Sequence, residues 1–152
     1  MARKARPGRL RPTDYERLAE FRYLLRQFLI FSEQAADRAG LTAQQHQALL
    51  AIKGFGATRP LTVGELAGRL GIKHHSAVGL ADRLRAKSLV RRQAGAEDRR
   101  QVMLRLTSQA ERLLARLSGA HRAELERLAP LLQTLLGHFR EGGKKASGQR
   151  RR

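Results

Sequence analysis

Two clusters of side chains in this sequence can do chemistry, and in both it is recognition of a polyanion rather than bond making. The first is Lys73, His74, His75, Ser76, Val78, Gly79 and Arg83. Helical spacing gathers Ala77, Leu80, Ala81 and Leu84 on one apolar face, which leaves His74 to Gly79 at the leading, outward side. Imidazoles and a hydroxyl can hydrogen-bond base edges or phosphates, and a valine can touch a thymine methyl group. Lys73 stands at the helix start, where a cation opposes the helix dipole. A phosphate shared by Lys73 and the free N–H groups removes that conflict. The second cluster is Arg92, Asp98, Arg99 and Arg100, in and around a charged turn. A metal reading of His74-His75 is weak. Adjacent helical residues diverge by about 100°, and the sequence has no cysteine to complete a site. No metal and no cofactor are expected.

The elements that must position these residues follow from capping and periodicity. Thr13 to Glu16 reads as a capping box opening a helix with Leu18, Phe21, Leu25, Phe28 and Leu29 on a broad apolar stripe, stopped at Gly40. Thr42 to Gln45 opens a second helix, ended by Gly54 and Gly56. Thr62 to Glu65 opens a short third, ended at Gly71 by a positive φ. The helix of the first cluster comes next. Leu89-Val90 and Val102 to Leu106 are strand-like runs joined through Gln93-Ala94-Gly95-Ala96. Thr107 then caps a long helix with Leu113, Leu114, Leu117, Leu125 and Leu128, broken or kinked at Pro130 and ending near Arg140. Helix, tight turn, helix and hairpin, in that order, make a winged helix-turn-helix, which sets its second helix in the major groove. The fold class is mainly α with a small β-hairpin wing. One domain over 13–140 is expected, with the winged helix-turn-helix at about 42–106 and basic, disordered arms at 1–12 and 141–152.

The broad apolar helices, 13–39 and 107–140, bracket a module too small to cover both. The economical solution is a homodimer in which they intertwine with a second copy. Composition agrees with a nucleic-acid partner: 31 Lys and Arg against 13 Asp and Glu give a formal charge of +18 in 152 residues. The absence of cysteine excludes disulfides and thiolate metal sites. No apolar run reaches signal-peptide or membrane-span length, so a cytoplasmic, nucleoid-associated bacterial protein is expected, with no membrane partner. No nucleophile with a base, no paired carboxylates in apolar surroundings and no phosphate-binding glycine loop argue for catalysis. No catalytic residues are assigned.

The ordered pieces resemble one family, the MarR-type (multiple antibiotic resistance regulator) transcription factors. The resemblance rests on Leu41-Thr42, Leu61-Thr62-Val63 with Glu65-Leu66-Ala67, and Asp82-Arg83-Leu84 leading to Leu89-Val90. It ends in Glu97-Asp98-Arg99-Arg100 followed by Leu104-Arg105-Leu106-Thr107. It implies a homodimeric winged-helix protein on a pseudo-palindromic double-stranded DNA operator, usually a repressor. A small aromatic or anionic effector would lower its DNA affinity. It also assigns Arg100 to the minor groove, whose negative potential suits a flat cation. Asp98 then braces an arginine, with Arg92 the candidate, and Arg99 meets phosphate or solvent. By analogy with the family's pockets, Arg22, Tyr23, Arg26, Phe31 and His46 are the effector candidates. Four positions depart from the family pattern: Lys73 stands where a serine or threonine commonly caps the helix, Gly79 where arginine is frequent, and Ser88 and Ala110 where glycine is usual. The competing reading is a sequence-tolerant architectural protein that coats nucleic acid.

Overall fold

A computed structural model describes residues 10–95 and 100–148, with side chains through 138. The elements run α1 (Pro12–Arg38), α2 (Ala43–Phe55), β1 (Leu61–Thr62), α3 (Val63–Leu70), α4 (His74–Ala86), β2 (Val90–Ala94), β3 (Val102–Leu106) and α5 (Ser108–Gly148). The chain divides into two compact units, one of Ser32–His121 and one of Met1–Phe31 with Arg122–Arg152. Residues 141–148, expected as part of a disordered tail, continue α5.

The Ser32–His121 unit contains the winged helix-turn-helix. Leu49, Leu66, Leu80, Leu84, Val90 and Leu104 are its largest fully buried side chains, drawn from α2, α3, α4 and both long strands. The hairpin pairs Val90 with Leu106 and Ala94 with Val102. A third strand is present that periodicity did not reveal. Leu61 and Thr62 pair with Leu104 and Met103, giving the antiparallel order β1-β3-β2. A two-residue strand carries no period of its own, so only its tertiary partner defines it. Gln93 and Ala94, expected in the turn, belong to β2. In the other unit Leu24 and Leu128 are buried, while Leu18, Leu25, Leu29, Leu125, Leu131 and Leu136 are exposed.

Two capping boxes form as the sequence indicates. Thr42 Oγ1 accepts from the Gln45 N–H and Gln45 Oε1 from the Thr42 N–H, both at 3.1 Å. Thr62 and Glu65 do the same at 3.1 and 2.8 Å. The box expected at Thr13 does not define α1. The helix opens at Pro12, and the Arg11 N–H donates to Asp14 Oδ2 at 2.9 Å. Proline suits the first helical position because that N–H has no intrahelical partner to lose. At the far end, α5 runs unbroken across Pro130, and the Thr134 hydroxyl donates to the Pro130 carbonyl at 3.0 Å. Gly54 lies inside α2, and Gly56 closes it.

Three helices end by one device, a left-handed residue whose own N–H and that of the next residue fold back over the last turn. After α1 it is Gly40 (φ 74°), with Leu41 N–H on the Ala36 carbonyl at 3.0 Å. After α3 it is Gly71 (φ 63°), with Ile72 N–H on Ala67 at 3.0 Å. After α4 it is Ser88 (φ 57°), with Leu89 N–H on Leu84 at 2.9 Å. Ser88 thus adopts the conformation that glycine adopts at the other two positions. Its carbonyl accepts from the Thr107 hydroxyl at 2.8 Å, and Thr107 Oγ1 in turn accepts from the Ala110 N–H at 3.2 Å, capping α5. The left-handed serine therefore joins the end of α4 to the start of α5. A β-carbon there costs about 1–2 kcal/mol, offset in part by the greater freedom glycine has when unfolded. Ser88→Gly is expected to stabilise the chain by about 0.5–1 kcal/mol, read as a rise in Tm of roughly 3 °C. An unchanged or lowered Tm contradicts this account of the junction.

Candidate nucleic-acid interface

α4 buries Ala77, Leu80, Ala81 and Leu84 against the core. That orientation leaves Lys73, His74, His75 and Arg83 exposed and Ser76, Val78 and Gly79 partly exposed, as the spacing predicts. Lys73 is the N-cap residue and makes no side-chain cap, and no acidic residue lies in the first turn. The first N–H groups of α4 thus have no side-chain cap, and a cation stands beside them. That is the arrangement suited to an anion.

β2 carries Arg92 back against α4. Its Nη1 lies 3.0 Å from Asp82 Oδ1, and its Nη2 donates to the Val78 carbonyl at 3.3 Å. The sequence pointed to Asp98 as the partner of Arg92. Asp98 and Arg99 lie outside the described residues; among the described ones, the Arg92 guanidinium is engaged by α4. The physical reason is register. Arg92 stands opposite Leu104, a fully buried residue at the centre of the sheet, and from there α4 is within reach. Asp82 also lies 3.7 Å from Arg85. On the neighbouring strand, Arg105 Nε donates to Gln93 Oε1 at 2.9 Å.

A groove of about 960 Å³ runs between the start of α3, the start of α4 and the hairpin. His74, Val78, Arg92 and Arg100 line it, so residues from both sequence clusters share one surface. Lys73, His75, Ser76, Gly79 and Arg83 are on α4 or at its cap, outside that lining. Two lining cations, Arg59 and Arg105, were not singled out from sequence. Arg105 sits within a strand-like run, and Arg59 immediately precedes Pro60 in a connector. Arg59 lies in no motif, and the Leu104 to Thr107 motif that holds Arg105 does not assign it a contact. Arg59 is hydrogen-bonded to Glu65, the capping carboxylate of α3. That bond, followed by the Thr62 N–H, holds the Glu65 carboxyl well below the usual range, at about 2. Among the described residues Glu65 is the acidic member of the lining, and it is ionised and paired with a cation.

The effector candidates do not come together in these cavities. Arg22, Tyr23 and Arg26 are exposed and Phe31 is partly buried in one unit, while His46 is 3% exposed in the other. None of the five lines the groove or the two smaller cavities of about 470 and 400 Å³. Among the described residues no three His, Asp or Glu side chains converge on a point suited to a metal ion. No described helix is long and apolar enough to cross a membrane.

Comparison with other proteins places this geometry. Residues 39–101 match the MarR family. No curated protein sequence matches the chain. Among solved structures, a MarR family protein from Bacillus stearothermophilus is 21% identical with a TM-score of 0.70, covering 93% of this chain and 98% of that one. The YusO protein of Bacillus subtilis is 24% identical with a TM-score of 0.61, covering 88% and 94%. A mutant of MepR from S. aureus, solved bound to an oligodeoxyribonucleotide, is 18% identical with a TM-score of 0.62, covering 86% and 95%. The chain therefore carries a MarR-family winged-helix segment at residues 39–101 within a MarR-type fold.

Proposed function

We propose that this protein is a homodimeric, sequence-specific DNA-binding transcription regulator, acting as a repressor that a small effector releases. The observation that carries the reading is the shared groove, where the leading end of α4 and the arginines of the hairpin converge. An α-helix with a polar, basic leading end fits the major groove, and a hairpin arginine beside it fits the adjacent minor groove. His75 and Ser76 supply donors and acceptors for base edges, Lys73 meets phosphate, and Arg100 enters the minor groove. A neighbour of the same fold was solved with an oligodeoxyribonucleotide, which supports duplex DNA as the ligand. The repressor output and the effector rest on the family resemblance.

The dimer has its own support. Leu18, Leu25 and Leu29 recur at i, i+7 and i+11 along α1 and are 44%, 41% and 45% exposed. Leu125, Leu132 and Leu136 repeat that spacing on α5, where Leu125 and Leu136 are 46% and 51% exposed. Such a spacing puts each set on one stripe of its helix, and continuous apolar stripes of this kind mark a protein interface. A second copy supplies the same stripes in return, so the contact closes on itself. A dimer also places two winged helices on one duplex, which calls for half-sites about one helical turn apart.

Gly79 tests how closely α4 approaches that duplex. A β-carbon built there meets only Arg83 Nη1, at 3.3 Å, the movable end of a flexible side chain. Among the described residues nothing requires glycine there, and in a helix it costs about 1 kcal/mol relative to alanine. Close approach of DNA to the Gly79 backbone explains it. Gly79→Ala is expected to raise stability by about 1 kcal/mol and to weaken DNA binding several-fold. Raised stability with unchanged affinity contradicts the close approach.

The direct test is competition between the DNA upstream of the gene and a scrambled duplex, across a salt series. A preference of at least about 10³-fold is expected, lost in Arg100→Ala and His75→Ala. Leu25→Glu with Leu29→Glu is expected to halve the mass by sedimentation and to abolish the tight complex. Equal binding to both duplexes with a steep salt slope supports the architectural reading instead, which the +18 charge favours.

A further inference from the structure

His46 lies on α2, away from the groove that faces DNA. It is 3% exposed, and its Nδ1 is buried without a hydrogen-bond partner. Its ring centroid is 4.7 Å from that of His121 on α5, with the planes tilted by 37°. The two imidazoles are not equivalent. His121 Nδ1 lies 2.6 Å from the Leu117 carbonyl, which can only accept, so this nitrogen carries hydrogen. His121 Nε2 lies 2.8 Å from Ser32 Oγ, on α1. A hydroxyl can donate or accept, so Ser32 serves His121 whether the ring is neutral or charged. His46 has no such provision at Nδ1, where an added proton meets no acceptor.

The surroundings sharpen the asymmetry. Among the described residues, the buried polar side chains are Gln45 and His46, and Gln45 is engaged by the Thr42 N–H. Among those residues no buried carboxylate is present to receive a charge on His46. The hydrophobic core of the unit includes Ala36 from α1, Leu49 from α2, and Ala110, Leu114 and Leu117 from α5. His121 is the titratable group whose charge bears on His46, and it would repel a second cation. Burial first, and His121 after it, hold the His46 imidazole below its ordinary 6.5.

We propose that His46, packed against His121, is an acid-sensitive joint: taking up a proton loosens α2 from α5 and lowers the affinity of the same unit for DNA. The second half rests on the DNA-binding reading given above. The sign follows from the lowered value. Above about pH 6.5 the ring is neutral in both the folded and the unfolded chain, and no stability is at stake. As pH falls below that point the unfolded chain takes the proton first. Stability is then lost until the folded ring titrates as well.

The experiment compares the full chain with His46→Gln, which keeps a polar side chain and cannot titrate. Amide exchange of α2, corrected for intrinsic rates, and affinity for the upstream DNA are measured at about pH 7.5 and about pH 5.5, spanning the histidine range. The parent chain is expected to lose protection of α2 on acidification, by at most about tenfold, as the proton binds the opened ring in preference to the packed one. The variant should not lose it. DNA affinity should fall several-fold more in the parent than in the variant, a comparison in which other titrating groups cancel. Equal acid responses in exchange overturn the joint. A difference in exchange with none in affinity overturns its regulatory half. Failure of both proteins to prefer the upstream DNA at the higher pH counts against the DNA reading alone, and exchange then decides the joint. If His46→Gln does not fold, the NMR titration of the parent His46 ring decides, and a midpoint at or above the ordinary 6.5 overturns the proposal.

Discussion

The hydrogen-bonded ion pair from Arg92 on β2 to Asp82 and the Val78 carbonyl on α4 is the contact on which the candidate interface depends. A winged helix reads DNA with two elements, and the two are useful only if the hairpin is held at a fixed attitude to the recognition helix. The sheet orients the hairpin at its base through Leu104 and Val90. Arg92, opposite Leu104, fixes it against α4, one guanidinium spanning two groups a helical turn apart, with Nη1 on the carboxylate and Nη2 on the carbonyl. Arginine suits that task because its donors form a rigid fork. The side chains of Arg92 and Asp82 are 25% and 45% exposed, so their attraction contributes only about 0–1 kcal/mol to folding. Its importance lies in orientation, which brings His74, Val78 and Arg100 to one groove.

The rest of the Ser32–His121 unit is built to hold that surface with short connections. Left-handed residues at Gly40, Gly71 and Ser88 turn the chain sharply after three helices. Thr42, Thr62 and Thr107 satisfy N–H groups where the following helices begin. Thr107 does two jobs, since its hydroxyl also bonds the Ser88 carbonyl and so links the end of α4 to the start of α5. The groove gains its charge from the same economy. Glu65 is used for capping and held by Arg59, so its carboxylate does not oppose an incoming phosphate.

Much of this was legible in the sequence, for local reasons. Thr42 with Gln45 and Thr62 with Glu65 are signals confined to four residues, and both formed. The apolar face of α4 follows from Ala77, Leu80, Ala81 and Leu84, and it left His74 to Gly79 outward as expected. What stayed hidden depends on partners distant in sequence. β1 is two residues defined by pairing with Leu104 and Met103. Arg92 found Asp82 because strand register aimed it at α4, and no sequence spacing encodes that direction. Arg59 and Arg105 reach the groove only once the sheet is assembled. At α1, Thr13 and Glu16 offered a plausible box, but Pro12 and Asp14 set the helix start two residues earlier than a Thr13 cap would.

The most direct measurement is a double-mutant cycle on Asp82 and Arg92, read in DNA affinity and, in parallel, in thermal stability. With Asp82→Ala, Arg92→Ala and the pair, each single change should weaken binding to the upstream DNA by a similar factor. The double change should weaken it little further, because either loss frees the hairpin. Stability should move by about 1 kcal/mol or less, as for a partly exposed pair. Losses in affinity that simply add, or an affinity indifferent to all three variants, would contradict the claim that this contact makes the helix and the hairpin a single reading surface.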